Sequence, residues 1–365
     1  MRLLSWILVV GSVFVSIGPL VAQAQTKAPT KQRPPLTRSE EMAVASCLGI
    51  IRDCQLPDGA FTMVNEGKTP ASPVWVAPYF VNHSMLALLA ANDVHKNRAD
   101  VARVGKWLGW SVKNQDPGGF WQDYTGTIAR YQGNGMVDAH DSSAAMFLLV
   151  AERYQRSGGK VPETLRAAAK RSLKCIQNVT DTDGLTWAKP DYRVKYLMDN
   201  IEVYAGLVAA QGFFTKTGDA AEAKAAGDQA EKISKGLKAY WQAVYQSRFA
   251  WVQHANGQFE GGLDKIYPHG LAQLFGVSFV SAVDAPFQEV VKTFQPQTTR
   301  EGVGAERYLI AASRLGDQET KTWRANTVQA TRGFNSKNVY IFRPGLVVLA
   351  LVEGADWMPS PAGEK

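Results

Sequence analysis

Apolar and polar positions divide most of the chain into two alternating kinds of segment. In the first kind, apolar residues recur at helical spacing and charged residues occupy the opposite face. In the second kind, apolar and small residues occupy nearly every position, which predicts a buried helix. The amphipathic segments are 39–53, 98–113, 162–177, 219–245, 286–294 and 317–332, and the apolar segments are 82–91, 138–154, 199–214, 269–280, 304–314 and 339–352.

A glycine turn beside aromatic or apolar residues recurs between these segments. It occurs at Gly59, Gly119, Gly184 and Gly257, and the first three glycines are 60 and 65 residues apart. A turn that returns in this way indicates a fold built from repeated units.

Six amphipathic and six apolar segments predict an all-α fold of six helical hairpins. If the hairpins close into a ring, the apolar helices form the inner wall and the amphipathic helices the outer wall. An open helical solenoid is the alternative. We favour the closed double ring because there are six pairs, aromatic-rich loops and no obvious polar capping repeat. The predicted domain spans residues 37–357, with a tail at 358–365.

Residues 1–24 have the three parts of a secretory signal. Arg2 gives a positive start, residues 3–21 are apolar and almost uncharged, and Ala22 and Ala24 offer small residues for cleavage. A retained membrane anchor is the alternative. Residues 25–36 are rich in Pro, Lys and Gln and predict a flexible linker. We expect cleavage after Ala24 and a secreted or periplasmic protein without stable membrane insertion.

Composition and charge argue against a nucleic-acid partner. The chain is 45% hydrophobic and 20% charged, which is ordinary for a globular protein with a large core. Its formal net charge of +7 is spread along the sequence, without a dense basic run interleaved with aromatic residues. A mild basic excess permits an acidic polymer as partner but does not require one.

The cysteine spacing argues against a disulfide framework. Cys47 and Cys54 are two of three cysteines and fall on one face of the first predicted helix. Their separation along that helix is about 10 Å. A disulfide needs Cα atoms within about 7 Å, so we expect both thiols to be free.

The Asp-Gly-aromatic loops and two inner-helix starts carry a resemblance to a known superfamily. The starts are residues 137–145, VDAHDSSAA, and residues 197–207, LMDNIEVYAGL. With these features the sequence resembles the six-hairpin glycosidase superfamily of (α/α)6 toroids, over most of the chain. The resemblance implies a carbohydrate site at the end of the ring where the inner helices begin, with catalysis by carboxylates there. Such folds also include polysaccharide lyases and non-hydrolytic members.

Two acidic residues lie at each of two neighbouring inner-helix starts: Asp138 and Asp141, then Asp199 and Glu202. Glycosidic cleavage usually needs two carboxyl groups, one protonated and one ionised. Helix capping is the alternative role for each of them. We predict Asp141 and Asp199 as the catalytic pair, both facing the central cavity, with Asp138 and Glu202 as substitutes.

Three histidines fall at or just before inner-helix starts: His83, His140 and His269. We predict that His83, His140 and His269 contact substrate, with structural hydrogen bonding or zinc ligation as alternatives. They come from separate hairpins without a short ligand spacing, so we expect no metal and no cofactor.

Aromatic residues are frequent in the same loops. Their rings can stack on the C–H faces of sugars, or they can pack the loops and fill the ring. The aromatic residues predicted to bind substrate are Trp121, Tyr124, Trp187, Tyr204 and Tyr267, and the loops also contain Trp75, Tyr79, Phe120, Tyr131 and Tyr192.

Three functions fit these features, and each has a carbohydrate as its partner. The first is an exported glycoside hydrolase that acts on a polysaccharide or oligosaccharide by carboxylate acid–base catalysis. The second is a lyase of an acidic glycan, in which Asn82 and His83 with Tyr79 or Tyr204 imitate the Asn-His-Tyr set of toroid lyases. The third is a non-catalytic carbohydrate-binding or cell-envelope assembly protein. We favour the hydrolase.

Overall fold

The computed structural model describes residues 35–242, 247–300 and 302–361. The predicted signal peptide and nearly all of the predicted linker lie outside these ranges, as do the last four residues of the predicted tail. The described residues form twelve α-helices and six short strands, which confirms the predicted mainly α fold.

Amphipathic and apolar helices alternate as the sequence predicts. The outer helices are α1 (Arg38–Asp53), α3 (Arg98–Lys113), α5 (Glu163–Asn178), α7 (Ala220–Gln242), α9 (Asp284–Thr293) and α11 (Asp317–Ala330), and the inner helices are α2 (Pro78–His95), α4 (His140–Arg156), α6 (Leu197–Thr217), α8 (Leu271–Phe279), α10 (Ala305–Ala312) and α12 (Phe342–Glu353).

The apolar helices close into a ring. Each of α2, α4, α6, α8 and α10 packs against the next inner helix, and α12 packs against α2. Each outer helix packs chiefly on the inner helix that precedes it in the chain. Helix α1 has no preceding helix and packs on α12 instead, so the first helix completes the last hairpin. The closed arrangement, rather than the open solenoid, is therefore the one observed.

The composition of the inner helices explains why they are inside. Helix α6 is apolar on nearly all sides and buries most of its residues, whereas α5 buries only one face. Gly206 of α6 lies so close to Ala145 of α4 that an added Cβ would come within 2.6 Å of the Ala145 backbone. In the described part of the chain, no helix combines the length and apolarity needed to cross a bilayer.

The three cysteines are buried free thiols, in agreement with the spacing argument. Cys47 lies within α1 and Cys54 follows its last residue. Burial raises the pKa of the Cys54 and Cys175 thiols to about 12, so they stay protonated at neutral pH.

The recurring glycine turns share one backbone geometry. Gly59, Gly119, Gly184 and Gly257 have φ values of 101°, 91°, 89° and 82°, a region that favours glycine. In each turn an Asp or Asn side chain accepts a hydrogen bond from the backbone two residues later. The four turns are therefore structural equivalents, as the repeat in the sequence indicated.

Two small antiparallel sheets, which the sequence analysis did not predict, lie in the loops before the inner helices. The first contains β1 (Pro73–Val76), β2 (Tyr124–Thr127) and β3 (Arg130–Gly133) in that order. The second contains β4 (Val194–Tyr196), β5 (Ala250–His254) and β6 (Phe259–Gly261). Because β1 leads into α2 and β4 into α6, both sheets stand at the end of the ring where inner helices begin.

The segment after α12 turns back into the ring. The ring of Trp357 lies 5.8 Å from His83 of α2 and 6.0 Å from Phe279 of α8, between ring centroids. Helices α2 and α8 are on opposite sides of the six-helix ring, so Trp357 lies near its axis. It is almost completely buried.

Candidate active site

A cavity of about 850 Å³ lies at the end of the ring where the inner helices begin. Residues from the first turns of α2, α6, α8, α10 and α12, and from the loop just before α4, line it. Both small sheets contribute aromatic side chains, so the unpredicted strands form part of its wall. The lining aromatic residues include Trp75, Tyr79, Tyr192, Tyr196, Trp251 and Tyr267.

Two of the predicted catalytic acids line this cavity. Asp138 lies two residues before α4, and Asp199 lies in the first turn of α6. Burial, followed by the charges of Asp141, Glu202 and Asp138, raises the pKa of Asp199 well above its ordinary value. Burial and Glu202 also raise the pKa of Asp138, but the positive charge of Lys189 opposes them. The two acids therefore have different tendencies to hold a proton.

Asp141 is placed differently from its prediction. It does not line the cavity, and its side chain is completely buried beneath it. The Thr186 hydroxyl lies 2.7 Å from one carboxyl oxygen, and the Ser142 backbone N–H donates to the other at 2.7 Å. Helix α4 begins at His140, so Asp141 is on the buried face of the first turn while Asp138 precedes the helix. Burial raises the pKa of Asp141 to about 7.

Glu202 is also buried, one turn further along α6 than Asp199. The Tyr79 hydroxyl donates to its two carboxyl oxygens at 2.9 and 3.0 Å. His83 Nε2 lies 3.7 Å from one of them. Tyr79 itself lines the cavity, so it separates Glu202 from the space that a ligand would occupy. Burial, followed by the charge of Glu202, raises the pKa of the Tyr79 hydroxyl well above its ordinary value.

The predicted histidines do not meet at the cavity. His83 is buried beside Glu202, and His140 stacks on Phe120 with ring centroids 3.8 Å apart. His269 is buried, and its Nδ1 accepts a hydrogen bond from the Asp264 backbone at 3.3 Å. None of the three lines the cavity. Within the described ranges no group of three or more His, Cys, Asp or Glu residues could hold a metal ion.

Of the five aromatic residues predicted to bind substrate, Tyr267 alone lines the cavity, and it is 64% exposed. Trp121 is buried, and its indole N–H donates to the Ser111 carbonyl of α3. Tyr124 is buried and donates to the Asn114 carbonyl. The loop that holds Trp121 and Tyr124 precedes inner helix α4. Both side chains nevertheless donate their hydrogen bonds to the C-terminal end of outer helix α3.

Trp187 and Tyr204 also lie away from the cavity lining. The Lys195 ammonium lies 4.1 Å from the centre of the Trp187 ring. Tyr204 is buried within α6, two residues past Glu202.

The cavity also contains charged residues that sequence reasoning did not identify. Lys189, Glu306 and Arg307 line it. Glu306 forms a fully buried ion pair with Arg343 of α12 at 3.0 Å. In the sequence, Glu306 and Arg307 form a charged pair at the start of an otherwise apolar segment. That pattern could have identified them as candidate site residues.

A further acid, Asp123, stands beside the lining. Trp75 Nε1 donates to its carboxylate at 2.9 Å. Burial raises the pKa of Asp123 to about 6, and the charge of Asp138 adds to that effect. Asp123 follows the aromatic loop after Gly119, where sequence analysis considered only the aromatic residues.

No protein-family model matches the chain, and no curated protein matches its sequence. Solved structures do share its fold. A glycosidase in complex with glucose is 11% identical, with a TM-score of 0.61 over 89% of this chain and 100% of that chain.

Two further solved structures are similar. An inactive variant of an α-1,6-mannanase from Salegentibacter sp., bound to α-1,6-mannotriose, is 10% identical, with a TM-score of 0.54 over 87% of this chain and 99% of that chain. A β-1,3-1,4-glucanase from Paenibacillus sp. is 10% identical, with a TM-score of 0.56 over 89% of this chain and 94% of that chain. At these identities the similarity shows the fold.

Proposed function

We propose that this protein is an exported glycoside hydrolase acting on a polysaccharide or oligosaccharide. One observation carries the proposal: Asp138 and Asp199, from the starts of neighbouring inner helices, line one large cavity together with exposed aromatic rings. The three similar structures named above are glycosidases or glycanases, and two of them hold a sugar, which agrees with the proposal. The secretory signal in the sequence supports export.

The two acids suit the two tasks of glycosidic cleavage. Asp199 is half-buried among other acids, and its raised pKa favours the protonated form, which can give a proton to the leaving oxygen. Burial and Glu202 also raise the pKa of Asp138, but the positive charge of Lys189 opposes that rise and favours the ionised form of this acid. As a carboxylate it can assist attack at the anomeric carbon. This assignment replaces the pair that the sequence suggested, because Asp141 has no access to the cavity.

The lyase alternative has less support from the geometry. Asn82, its predicted amide, accepts a hydrogen bond from Trp107 Nε1 of α3 and does not line the cavity. Tyr79 donates its hydroxyl to Glu202, and its raised pKa favours the neutral phenol over the phenolate that would accept a proton. A non-catalytic binding protein would have the same cavity. Only a measurement of activity therefore distinguishes it from a hydrolase.

The test is turnover of a panel of neutral and acidic polysaccharides by the purified protein. A hydrolase releases reducing ends without an unsaturated uronate, a lyase gives both, and a binding protein gives neither. Asp138→Asn and Asp199→Asn should each lower turnover by about 10²-fold or more, the value of a positioned acid or base.

Asp141→Asn is the matched control, because it changes a third acid on the same two helix starts. It should retain turnover within about tenfold, since this carboxyl does not reach the substrate. Full activity in Asp138→Asn and Asp199→Asn, with loss in Asp141→Asn, would instead support the pair chosen from the sequence.

A further inference from the structure

Arg307 lies in the wall of the cavity and has no carboxylate partner among the described residues. It lies in the first turn of α10, and its guanidinium group lies over Phe275, 4.8 Å from the ring centre. Its Nη1 atom is buried and has no hydrogen-bond partner. Among the described residues no carboxylate forms an ion pair with Arg307. A buried guanidinium nitrogen that donates to nothing is costly to the fold unless a ligand satisfies it.

The other buried cations of the described chain have such partners. Arg343 pairs with Glu306, and Lys195 pairs with Asp181 and Asp183. Arg153 pairs with Glu353. One guanidinium nitrogen of Arg153 also lacks a hydrogen-bond partner, so Arg307 differs from these cations in having no carboxylate beside it. Unlike Arg153, Lys195 and Arg343, Arg307 lines the cavity.

A second cation lines the same cavity. Lys189 Nζ donates to the Val137 carbonyl at 2.8 Å, which fixes it beside Asp138. A lysine has three donors, and no carboxylate among the described residues lies within ion-pair distance of this one. If these cations served only to balance the cavity acids, we would expect direct pairs like that of Arg343 with Glu306. Their free donors instead point to a negatively charged ligand.

Resting on the proposed hydrolase function, we infer that the sugar bound in this cavity carries a carboxylate. The substrate class is then an acidic glycan that contains a hexuronic acid. Arg307 holds the carboxylate with its planar N–H groups, and Lys189 adds a second positive charge near the scissile bond. The aromatic rings of Tyr192 and Tyr267 cover the apolar faces of the sugar ring. Arg307 is a specificity residue in this arrangement, and Asp138 and Asp199 remain the catalytic groups.

The test compares each acidic oligosaccharide with its own carboxyl-reduced form, which has the same linkage but a neutral hydroxymethyl group. The probes are oligomers of galacturonate, glucuronate, mannuronate and guluronate, and binding to the wild-type protein is measured by titration calorimetry. At least one native oligomer should bind about 10- to 100-fold more tightly than its reduced form, the value of a charge-assisted pair. If no probe shows this preference, the inference is overturned.

Variants assign the preference to Arg307. Arg307→Gln should remove most of the preference for the native oligomer, leaving the smaller part due to Lys189, without changing the affinity for the reduced oligomer. Arg307→Lys keeps the charge but loses the planar fork, so it should keep part of the preference. Arg98→Gln, an exposed arginine at the start of outer helix α3, removes the same charge and should change neither affinity. Equal weakening of both ligands by Arg307→Gln would mean that the residue binds hydroxyl groups or supports the fold.

Binding and turnover separate this inference from the proposed hydrolysis. Preference for the native oligomer without release of reducing ends would overturn the hydrolase and keep the carboxylate site. Release of reducing ends from neutral polymers, with no preference for carboxylates, would keep the hydrolase and overturn the site.

Discussion

The hydrogen bonds around Asp141 fit both of its protonation states. The Thr186 hydroxyl is 2.7 Å from the Asp141 carboxyl and 3.2 Å from the Asn200 amide oxygen, and it has one proton to give. If Asp141 is protonated, it can donate to Thr186, and Thr186 can donate to Asn200. If Asp141 is ionised, the Thr186 hydroxyl donates to it, and the Asn200 oxygen keeps the Thr186 backbone N–H as its donor at 2.8 Å. The raised pKa of Asp141 agrees with the protonated arrangement.

Asp141→Asn should therefore be tolerated by the fold, because an amide N–H can replace the carboxyl O–H as donor to Thr186. An unfolded aspartate has a pKa of about 4. The folded value is about 7, so this acid stabilises the wild type at low pH and loses that contribution as the pH rises towards 7. The variant lacks this titration. Relative to wild type, it should gain up to about 4 kcal/mol in unfolding free energy between about pH 4 and pH 8, because the folded and unfolded pKa values differ by about three and each pKa unit is worth about 1.4 kcal/mol.

Urea unfolding at several pH values measures this difference. Asp219→Asn is the opposite case: Arg166 and Lys170 hold the pKa of Asp219 below its ordinary range. That variant should lose stability relative to wild type as the pH rises towards the unfolded pKa of about 4, and the deficit should stay constant above it. An Asp141→Asn protein whose relative stability falls with rising pH would show that Asp141 is ionised in the folded state.

Of the four acids that the sequence singled out at two helix starts, Asp138 and Asp199 line the cavity, whereas Asp141 and Glu202 do not. Which acid reaches the cavity depends on the first residue of α4. Residue 139, the N-cap, is an alanine without a capping side chain, so the sequence carried no signal for a start at His140 rather than Asp138.

At the scale of elements, the glycine turns join each hairpin to the next outer helix. An added Cβ at Gly59 would lie 2.8 Å from the Lys106 carbonyl of α3. At Gly119 it would lie 2.2 Å from the Arg171 carbonyl of α5. At Gly184 it would lie 2.8 Å from Lys232 Cβ of α7. The turns therefore need glycine for two reasons, a positive φ and a close approach to the neighbouring helix.

A pair of variants separates these two reasons. Gly119→Ala adds both backbone strain and a clash with α5, whereas Gly257→Ala adds strain alone, because nothing lies within 4 Å of its Cβ position. The strain costs about 1–2 kcal/mol in each, and the clash should add about 1–3 kcal/mol in Gly119→Ala. Unfolding midpoints in urea compare them. Equal losses would show that the turn at Gly119 can move away from α5 at little cost.

Helices were more predictable than strands for a physical reason. A buried helix of eight or more residues gives a continuous apolar segment in the sequence, and each of the six inner helices lies within or overlaps such a segment. The six strands have three to five residues each, and each sheet is held together by one pairing between distant strands, such as Trp75 of β1 opposite Thr125 of β2. So short a strand shows no clear alternation, and its pairing depends on the ring that brings the loops together.

At the scale of the whole molecule, the two ends of the described chain close the ring. Glu40 of α1 forms an ion pair with Arg324 of α11 at 2.6 Å, and Ser84 of α2 donates to the Ile341 carbonyl before α12 at 2.9 Å. The segment after α12 then places Trp357 on the ring axis. Each inner helix therefore has two inner neighbours, and the side chains on the axis touch helices that are not neighbours.

Trp357 offers a test of how much this axial packing stabilises the ring. Trp357→Ala leaves a void between α2 and α8 and should lower the unfolding free energy by about 3–5 kcal/mol, as for other buried tryptophans. Trp357→Phe is the matched control. The indole N–H has no hydrogen-bond partner among the described residues, so phenylalanine loses no hydrogen bond and should cost less than about 2 kcal/mol. Urea unfolding followed by far-UV circular dichroism measures both. A loss below about 1 kcal/mol in Trp357→Ala would mean that contacts between neighbouring inner helices alone hold the ring closed, and that the segment after α12 only covers its end.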